Sequence, residues 1–362
     1  MNTSPGKDSE TVRDFLDASD WKGAEIAPLA GDASSRSYFR VSKAERGAIL
    51  MSAPPGAETS ACPPGATPEE RRALGYNAEA RLAGPNLHAF TAIAETLRSA
   101  GLSAPEIYAA DAGNGLALIE DLGDGLFAKV VGDIPEATLY KNAVDVLLHL
   151  HGETPAPPHT DAFRMLDYDG LALEAEADLL LDWYWPLKKG TAPGDDEASE
   201  YRDLFSGLLS RLSPPRVMVL RDYHAENLLW LPKRDGVKRV GLIDFQDGLV
   251  GSPAYDLVSL LEDARRDVDE GLAESMMTRY AEGMKAQAGF EIDQFRDECA
   301  ILALQRNAKI LGIFARLAER DGKRRYLDLL PRVEAHFRRD LSRPAVAPAR
   351  AFFKRHFPDF VQ

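Results

Sequence analysis

The sequence predicts an α+β chain in two lobes, a small β-rich N-lobe followed by a large, mostly helical C-lobe. Short apolar runs bounded by turn residues crowd the first third of the chain, and helical periods fill most of the rest. A hairpin pattern between Val217 and Ile243 interrupts those helices. With 362 residues the chain can bury a core in each lobe. The expected boundaries are 1–24 for an N-terminal extension or helix, 25–122 for the N-lobe, 123–345 for the C-lobe and 346–362 for a tail.

Glu25 to Ala30, Ser37 to Val41 and Gly47 to Met51 read as strands. The segment from Ala53 to Pro68 is dense in Pro, Gly and Ala and reads as a loop. A helix is expected from about Phe90 to Ala100, stopped by Gly101. Glu106 to Ala110 and Gly115 to Glu120 form a further strand pair, and Asp121-Leu122-Gly123-Asp124 marks the crossing to the second lobe. Helical periods then cover Glu136 to His151, Leu171 to Leu187 and Glu197 to Arg211, and resume at Tyr255. Apolar stripes follow near Met276 to Met284, Phe295 to Leu317 and Tyr326 to Phe337. His149 and His151, at i and i+2, do not share a helix face, so a capping role fits them better than a joint site.

Composition narrows the class of protein. Apolar content of 45% with 28% charged residues fits a globular chain, and no apolar run reaches the length of a membrane span. Met1 to Glu10 lacks the basic-then-apolar layout of a secretion signal, so the cytoplasm is the expected compartment. Cys62 and Cys299 have no metal-ligand spacing and read as free thiols of a reducing environment. A net charge of −14 argues against a nucleic-acid surface.

The segment Arg221-Asp222-Tyr223-His224-Ala225-Glu226-Asn227 leads through a short strand and a turn to Val240-Gly241-Leu242-Ile243-Asp244. This order of Asp, Asn and Asp is the one in which phosphoryl-transfer sites of the kinase type assemble a base and two metal ligands. The bare Asp-x-x-x-x-Asn spacing arises roughly once by chance in a chain of this length, so the flanking strands carry the inference. They would bring Asn227 near Asp244, with Asp222 on the preceding loop. A solvent-facing Asp, a turn Asn and an acidic strand end would share the bare pattern. Upstream, Gly31-Asp32-Ala33-Ser34-Ser35-Arg36 joins two expected strands, where backbone amides and hydroxyls could cover triphosphate oxygens. The same residues would also suit an ordinary hairpin. No Walker-type Gly-x-x-x-x-Gly-Lys is present.

With Gln246-Asp247-Gly248 and Gly251-Ser252-Pro253-Ala254-Tyr255-Asp256 added, the chain resembles the aminoglycoside phosphotransferase-like branch of the protein-kinase fold. The resemblance implies that Asp222 is the base, Asn227 and Asp244 hold Mg²⁺, and Asp256 braces the catalytic loop. A plain carboxylate at a helix N-terminus would explain Asp256 equally well. The resemblance further implies ATP as donor, contacted by Gly31, Ala33, Ser34, Ser35, Arg36, Glu120 and Leu122. One departure stands out: Met51 occupies the strand position of the kinase lysine, and Phe90 lies near that of its glutamate partner. Losing both members of a buried ion pair is physically sound, whereas losing one would strand a charge. Arg36 or Arg40 would then supply positive charge, unless both merely solvate the strand edge.

Further segments narrow the resemblance, among them Met51-Ser52-Ala53-Pro54-Pro55, Glu120-Asp121-Leu122-Gly123-Asp124 and Leu311-Gly312-Ile313-Phe314-Ala315-Arg316. They are similar to the bacterial cell-wall-recycling kinases that phosphorylate N-acetylmuramate and N-acetylglucosamine at the anomeric position. The group implies a functional link to a nucleotidyltransferase that uses sugar 1-phosphates. Trp183 and Trp185 are candidates for stacking on a sugar ring, since sugars present apolar faces, although they could instead close the helical core. His224, Gln246 and Asp247 are candidates for sugar hydrogen bonds, and Arg306 and Lys309 lie on a helix expected to flank the cleft, although a solvated face would explain them equally well. The catalytic hairpin by itself leaves an aminoglycoside, choline or homoserine acceptor open. The missing lysine also leaves open a kinase-fold binding protein without turnover.

Overall fold

Helix α1 (Glu10–Ala18) carries Val12, Phe15 and Leu16 at helical spacing, which puts all three on one face. With Trp21 they form a cluster with Val41, Ala48, Leu50, Leu116 and Leu118. The computed structural model describes residues 10–29, 36–53, 61–84, 86–214 and 216–361. Gly31, Ala33, Ser34 and Ser35 lie outside them, as does 54–60 of the Pro/Gly segment. The chain divides into two compact units, one of residues 1–166 with 225–248 and the other of 167–224 with 249–362.

In the first unit, β1 (Glu25–Pro28), β2 (Ser37–Lys43) and β3 (Arg46–Ser52) precede three helices. These are α2 (Pro68–Leu74), α3 (Tyr76–Glu79) and α4 (Leu87–Ser99), followed by β4 (Ile107–Asp111) and β5 (Leu116–Glu120). The antiparallel sheet runs β1-β2-β3-β5-β4. The strand period of two turns Ala48, Leu50, Leu116 and Leu118 toward the α1 cluster, and Met51 toward the opposite face. Helix α4 starts earlier than expected because the Asn86 side chain caps the His88 N–H at 3.0 Å, and Gly101, at φ +81°, follows its end. Helix α2 occupies sequence read as loop or left unassigned. Its start is a capping box, Thr67 and Glu70 bonding each other's backbone, with Pro68 in the first turn. The short α5 (Phe127–Val130) and the long α6 (Glu136–Glu153) complete this part of the unit. The His149 ring lies 2.7 Å from the Ala100 carbonyl, at the C-terminal end of α4.

The chain enters the second unit with α7 (Gly170–Ala177), capped by the Asp169 side chain on Ala172 N–H. A π-helical turn (Leu180–Tyr184), α8 (Trp185–Lys189), α9 (Asp195–Leu209) and β6 (Val217–Val219) follow. It returns to the first unit for the hairpin β7 (Leu228–Trp230) and β8 (Val240–Leu242). The second unit then resumes with β9 (Leu249–Gly251), α10 (Ala254–Leu261), α11 (Glu270–Met284), α12 (Ile292–Glu319), α13 (Leu330–Leu341) and α14 (Ala349–His356). Among the described residues no helix is long and apolar enough to cross a membrane. Both cysteines are buried and unbridged.

Helix α12 is the centre of the second unit. Its buried polar residues are partnered by groups distant in sequence: Gln305 donates to the Leu173 carbonyl at 2.9 Å, and Asn307 to Glu262 and Asp340, each at 2.8 Å. Against it lies the π turn, in which the Trp185 N–H reaches back to the Leu180 carbonyl; Pro186, next in line, has no N–H to continue an α ladder. The two backbones touch at Gly312, where an added methyl carbon would stand 2.2 Å from the Leu179 carbonyl oxygen. Gly312→Ala is therefore expected to destabilise the protein by about 1–3 kcal/mol through overpacking. Urea unfolding measures this, and a wild-type midpoint would refute the close approach.

Candidate active site

Strands β6 and β9 pair antiparallel, Val217 opposite Gly251 and Val219 opposite Leu249, which brings the start of α10 to the end of β6. Asp256 on α10 is fully buried and accepts the N–H groups of Leu220 and Arg221 at 2.6 and 2.9 Å. The Ser259 hydroxyl donates to the Arg221 carbonyl at 3.2 Å, and Asp222 N–H closes a tight turn onto the Leu220 carbonyl at 2.8 Å. Arg221, at the centre of that turn, sits at φ +67°, a conformation L residues with side chains adopt at a cost. Its peptide is held from both sides, so the strain persists. The turn delivers Asp222, which is partly solvent-accessible.

Lys309, His224, Arg221 and Arg265, the groups that act most strongly on Asp222, all belong to the second unit. Burial pushes the Asp222 carboxyl up, but Lys309 foremost, then His224, Arg221 and Arg265, outweigh burial and hold it below the usual carboxylate range. Asp256 behaves oppositely: burial pushes it up to about 7 against the pull of its two N–H donors, with Asp222 adding to the rise. His224 is buried, its Nε2 3.4 Å from the Arg265 guanidinium, and burial foremost drives it down to about 4, so it is neutral at physiological pH.

In the first unit, the β7–β8 hairpin pairs Leu228 with Leu242, and Ile243 N–H donates to the Asn227 carbonyl at 3.2 Å. Asn227 thus lies across the ladder from the residue before Asp244. Asp244 is at φ +59°, the second non-glycine left-handed residue of the motif. Its Oδ1 accepts from Gln246 Nε2 at 2.9 Å, and Arg36 Nη1 stands 3.6 Å from the same oxygen. Arg36 also donates to the Gly84 carbonyl at 2.6 Å. Tyr38 beside it is pushed up to about 12, by burial first and by Asp244 next. Asp247 accepts Ala83 N–H at 2.6 Å. Gln246 and Asp247 are therefore tied into the frame of Asp244.

Met51 and Phe90 are both buried, and Phe90 stacks on Phe245 with centroids 5.1 Å apart and planes 12° apart. Apolar packing occupies the positions where the resemblance leads one to expect a lysine and a glutamate. Arg40 is committed elsewhere, in ion pairs to Asp121 at 2.7 Å and Asp124 at 2.9 Å. Glu120 is paired with Arg234, and Leu122 lies where a methyl on Gly241 would meet it at 3.2 Å. Trp183 is half-buried, whereas Trp185 is a core residue, packed on Phe352, His356 and Phe357 of the C-terminal segment. That packing excludes Trp185 as a ring-stacking ligand contact.

The class follows: the chain belongs to the phosphotransferase enzyme family, whose model matches residues 25–290. It is 41% identical to the N-acetylmuramate/N-acetylglucosamine kinase of Caulobacter vibrioides over 349 residues, 95% of each chain. It is 31% identical to the protein of that name from Pseudomonas aeruginosa, covering 85% of this chain and 81% of that one. The Plasmodium vivax ethanolamine kinase shares the fold at a TM-score of 0.56 and 12% identity, covering 96% of this chain and 92% of that one. The kinase-like architecture expected from the sequence is the one observed, a small antiparallel sheet with a mostly helical remainder.

Asp256→Ala would leave two buried N–H groups without acceptors, at about 1–3 kcal/mol each. A carboxyl whose folded pKa lies above its unfolded value binds its proton more tightly when folded, so its stabilising contribution falls as pH rises from about 4 to about 7. The stability gap between wild type and Asp256→Ala should accordingly narrow between pH 5 and pH 8. Denaturant unfolding at both values checks it, and a gap that widens with pH would show an Asp256 ionised throughout.

Proposed function

We propose that the protein transfers the γ-phosphoryl group of ATP to the anomeric hydroxyl of N-acetylmuramate and N-acetylglucosamine. The observation that carries this reading is the 41% identity across 95% of both chains with a relative named for those two sugars. In this reading Asp222 accepts the hydrogen bond of the sugar hydroxyl and takes its proton as the new P–O bond forms. An anomeric hydroxyl is more acidic than an ordinary alcohol, so a carboxylate of low pKa suffices as base. General-base assistance of this kind is worth about 10²–10⁴ in rate. The cations gathered around Asp222 keep it ionised and ready to accept.

Asn227 and Asp244 offer a side-chain amide and a carboxylate at the end of one hairpin, a donor set that suits Mg²⁺ completed by phosphate oxygens. When bound, Mg·ATP supplies the transferable group and neutralises charge on it. Gln246 holds Asp244 in its left-handed conformation, and Arg36 adds positive charge on the same side. Arg36 is in this reading the substitute for the kinase lysine, since Arg40 is taken by two carboxylates. Trp183 is the aromatic left for a sugar face, with His224, neutral at physiological pH, as a hydrogen-bonding partner. A sugar 1-phosphate suits a nucleotidyltransferase making UDP-sugars, and in this reading the reaction belongs to the recycling of cell-wall sugars in the cytoplasm.

Phosphorus NMR of products from ATP, Mg²⁺ and each sugar tests the reading. A sugar 1-phosphate resonance is expected with wild type, reduced at least about 10²-fold in rate in Asp222→Asn. A 6-phosphate would overturn the anomeric assignment, and ATP left unconsumed with both sugars would overturn the acceptor. Arg36→Ala should weaken ATP binding about 10-fold while Arg36→Lys retains most of it, as expected for one charge-assisted contact. Equal affinity in wild type and Arg36→Ala, measured by calorimetry, would remove Arg36 from the nucleotide site.

A further inference from the structure

Glu176, at the end of α7, has no solvent exposure, yet burial is outweighed and its carboxyl lies below the usual range, so it is ionised. Lys309 pairs with it at 2.8 Å, the Arg221 guanidinium binds it, and the Tyr168 hydroxyl donates to it. The same Lys309 Nζ is 3.3 Å from the Tyr255 hydroxyl, whose oxygen lies 3.1 Å from that of Tyr168, and Arg221 lies over the Tyr168 ring at 4.8 Å. Gln305 approaches Glu176 at 3.4 Å while bonded to the Leu173 carbonyl. All of these residues belong to the second unit.

Two features separate this cluster from ordinary core polarity. It holds two cations against one carboxylate, a surplus that is costly in a dry interior unless another anion offsets it. It also grips the side chain of Arg221, whose strained peptide immediately precedes Asp222. We propose that Glu176 and Lys309 are positioning residues: Glu176 fixes Arg221 and thereby the turn that presents Asp222, and Lys309 holds Glu176 in place from its other side. The inference rests on the assignment of Asp222 as the base. Apolar replacement of such a network is often neutral for stability, so stability alone gives little reason for it.

The test uses the full-length protein as Lys309→Met, Lys309→Arg and Glu176→Gln. Lys309→Met keeps the aliphatic stem, and kcat for the sugars should fall about 10–100-fold with KM for ATP within about 2-fold of wild type. Lys309→Arg should restore kcat. In Glu176→Gln, amide hydrogen exchange at Leu220 and Arg221 should be at least about 10-fold faster, reporting a loosened turn. A Lys309→Met enzyme with wild-type kcat, whatever its melting temperature, would overturn the role of Lys309. Unchanged exchange in Glu176→Gln would overturn the positioning role. The exchange measurement needs no acceptor, so a wild type that phosphorylates neither sugar would sink the functional reading while leaving this one decided.

Discussion

The carboxyl of Asp256, accepting two consecutive backbone N–H groups at the end of β6, is the contact on which the turn carrying Asp222 depends. A fully buried carboxyl is expensive, and burial foremost raises its pKa to about 7. What the cost secures is a peptide conformation that would otherwise relax. Arg221 at φ +67° is stable only because its N–H, its carbonyl and its guanidinium are each engaged by a different residue, Asp256, Ser259 and Glu176. Two helices, α10 and α7, thus converge on the one residue that immediately precedes Asp222. The β6–β9 ladder contributes by fixing where α10 begins, since each strand has only three residues and little stability of its own.

The β7–β8 hairpin solves a similar problem with other means. It is equally short, and it is held by neighbours of its own unit. Leu242 N–H bonds the Ser103 carbonyl at 2.9 Å, and Trp230 N–H bonds the Gly125 carbonyl at 2.7 Å. The approach at Gly125 is so close that a methyl there would meet the Trp230 carbonyl oxygen at 2.8 Å. Asp244 emerges from this frame in a left-handed conformation that Gln246 supports through the carboxylate rather than through the peptide. Beneath it the Phe90–Phe245 stack and buried Met51 fill space with apolar contacts. An ion pair there would incur desolvation on both partners, and an apolar pair of similar size avoids that cost. Arg36, 3.6 Å from the Asp244 carboxylate, is mostly buried and bonded to the Gly84 carbonyl, so its position is fixed.

Local patterns were readable in advance, and long-range pairings were not. The strand alternation of β2, β3 and β5 and the helical periods of α4, α6 and α12 follow from spacing within a few residues. Helix α2 was missed although Thr67, Pro68 and Glu70 spell a capping box, because Pro and Gly density just upstream outweighed it. The π turn lies inside the helical period that runs from Leu171 to Leu187 in the sequence, and its close contact at Gly312 comes from over 130 residues away. Trp185 looked as available to a ligand as Trp183 until the aromatics of 352–357 covered it. Glu176 had no local signal either. A glutamate in a mostly apolar helix acquires meaning only when Arg221 and Lys309 arrive from elsewhere.

Electrostatics at two length scales reconcile the acidic chain with an anionic substrate. A net charge of −14 repels a nucleotide at long range, but exposed charges are screened beyond about 8–10 Å at physiological ionic strength. Inside that distance the fixed cations decide. The second unit holds Lys309, Arg221 and Arg265 around Asp222, and the first unit holds Arg36 beside Asp244. None of these is a long side chain waving in solvent. Lys309 is anchored by Glu176 and Tyr255, Arg221 by Glu176, and Arg36 by Gly84. Anchored charges need no reorganisation when charge develops on a reacting group, which is where preorganised electrostatics exceeds what the same ions would achieve in water. The buried glutamate is therefore better understood as a mount for cations than as a stabilising ion pair.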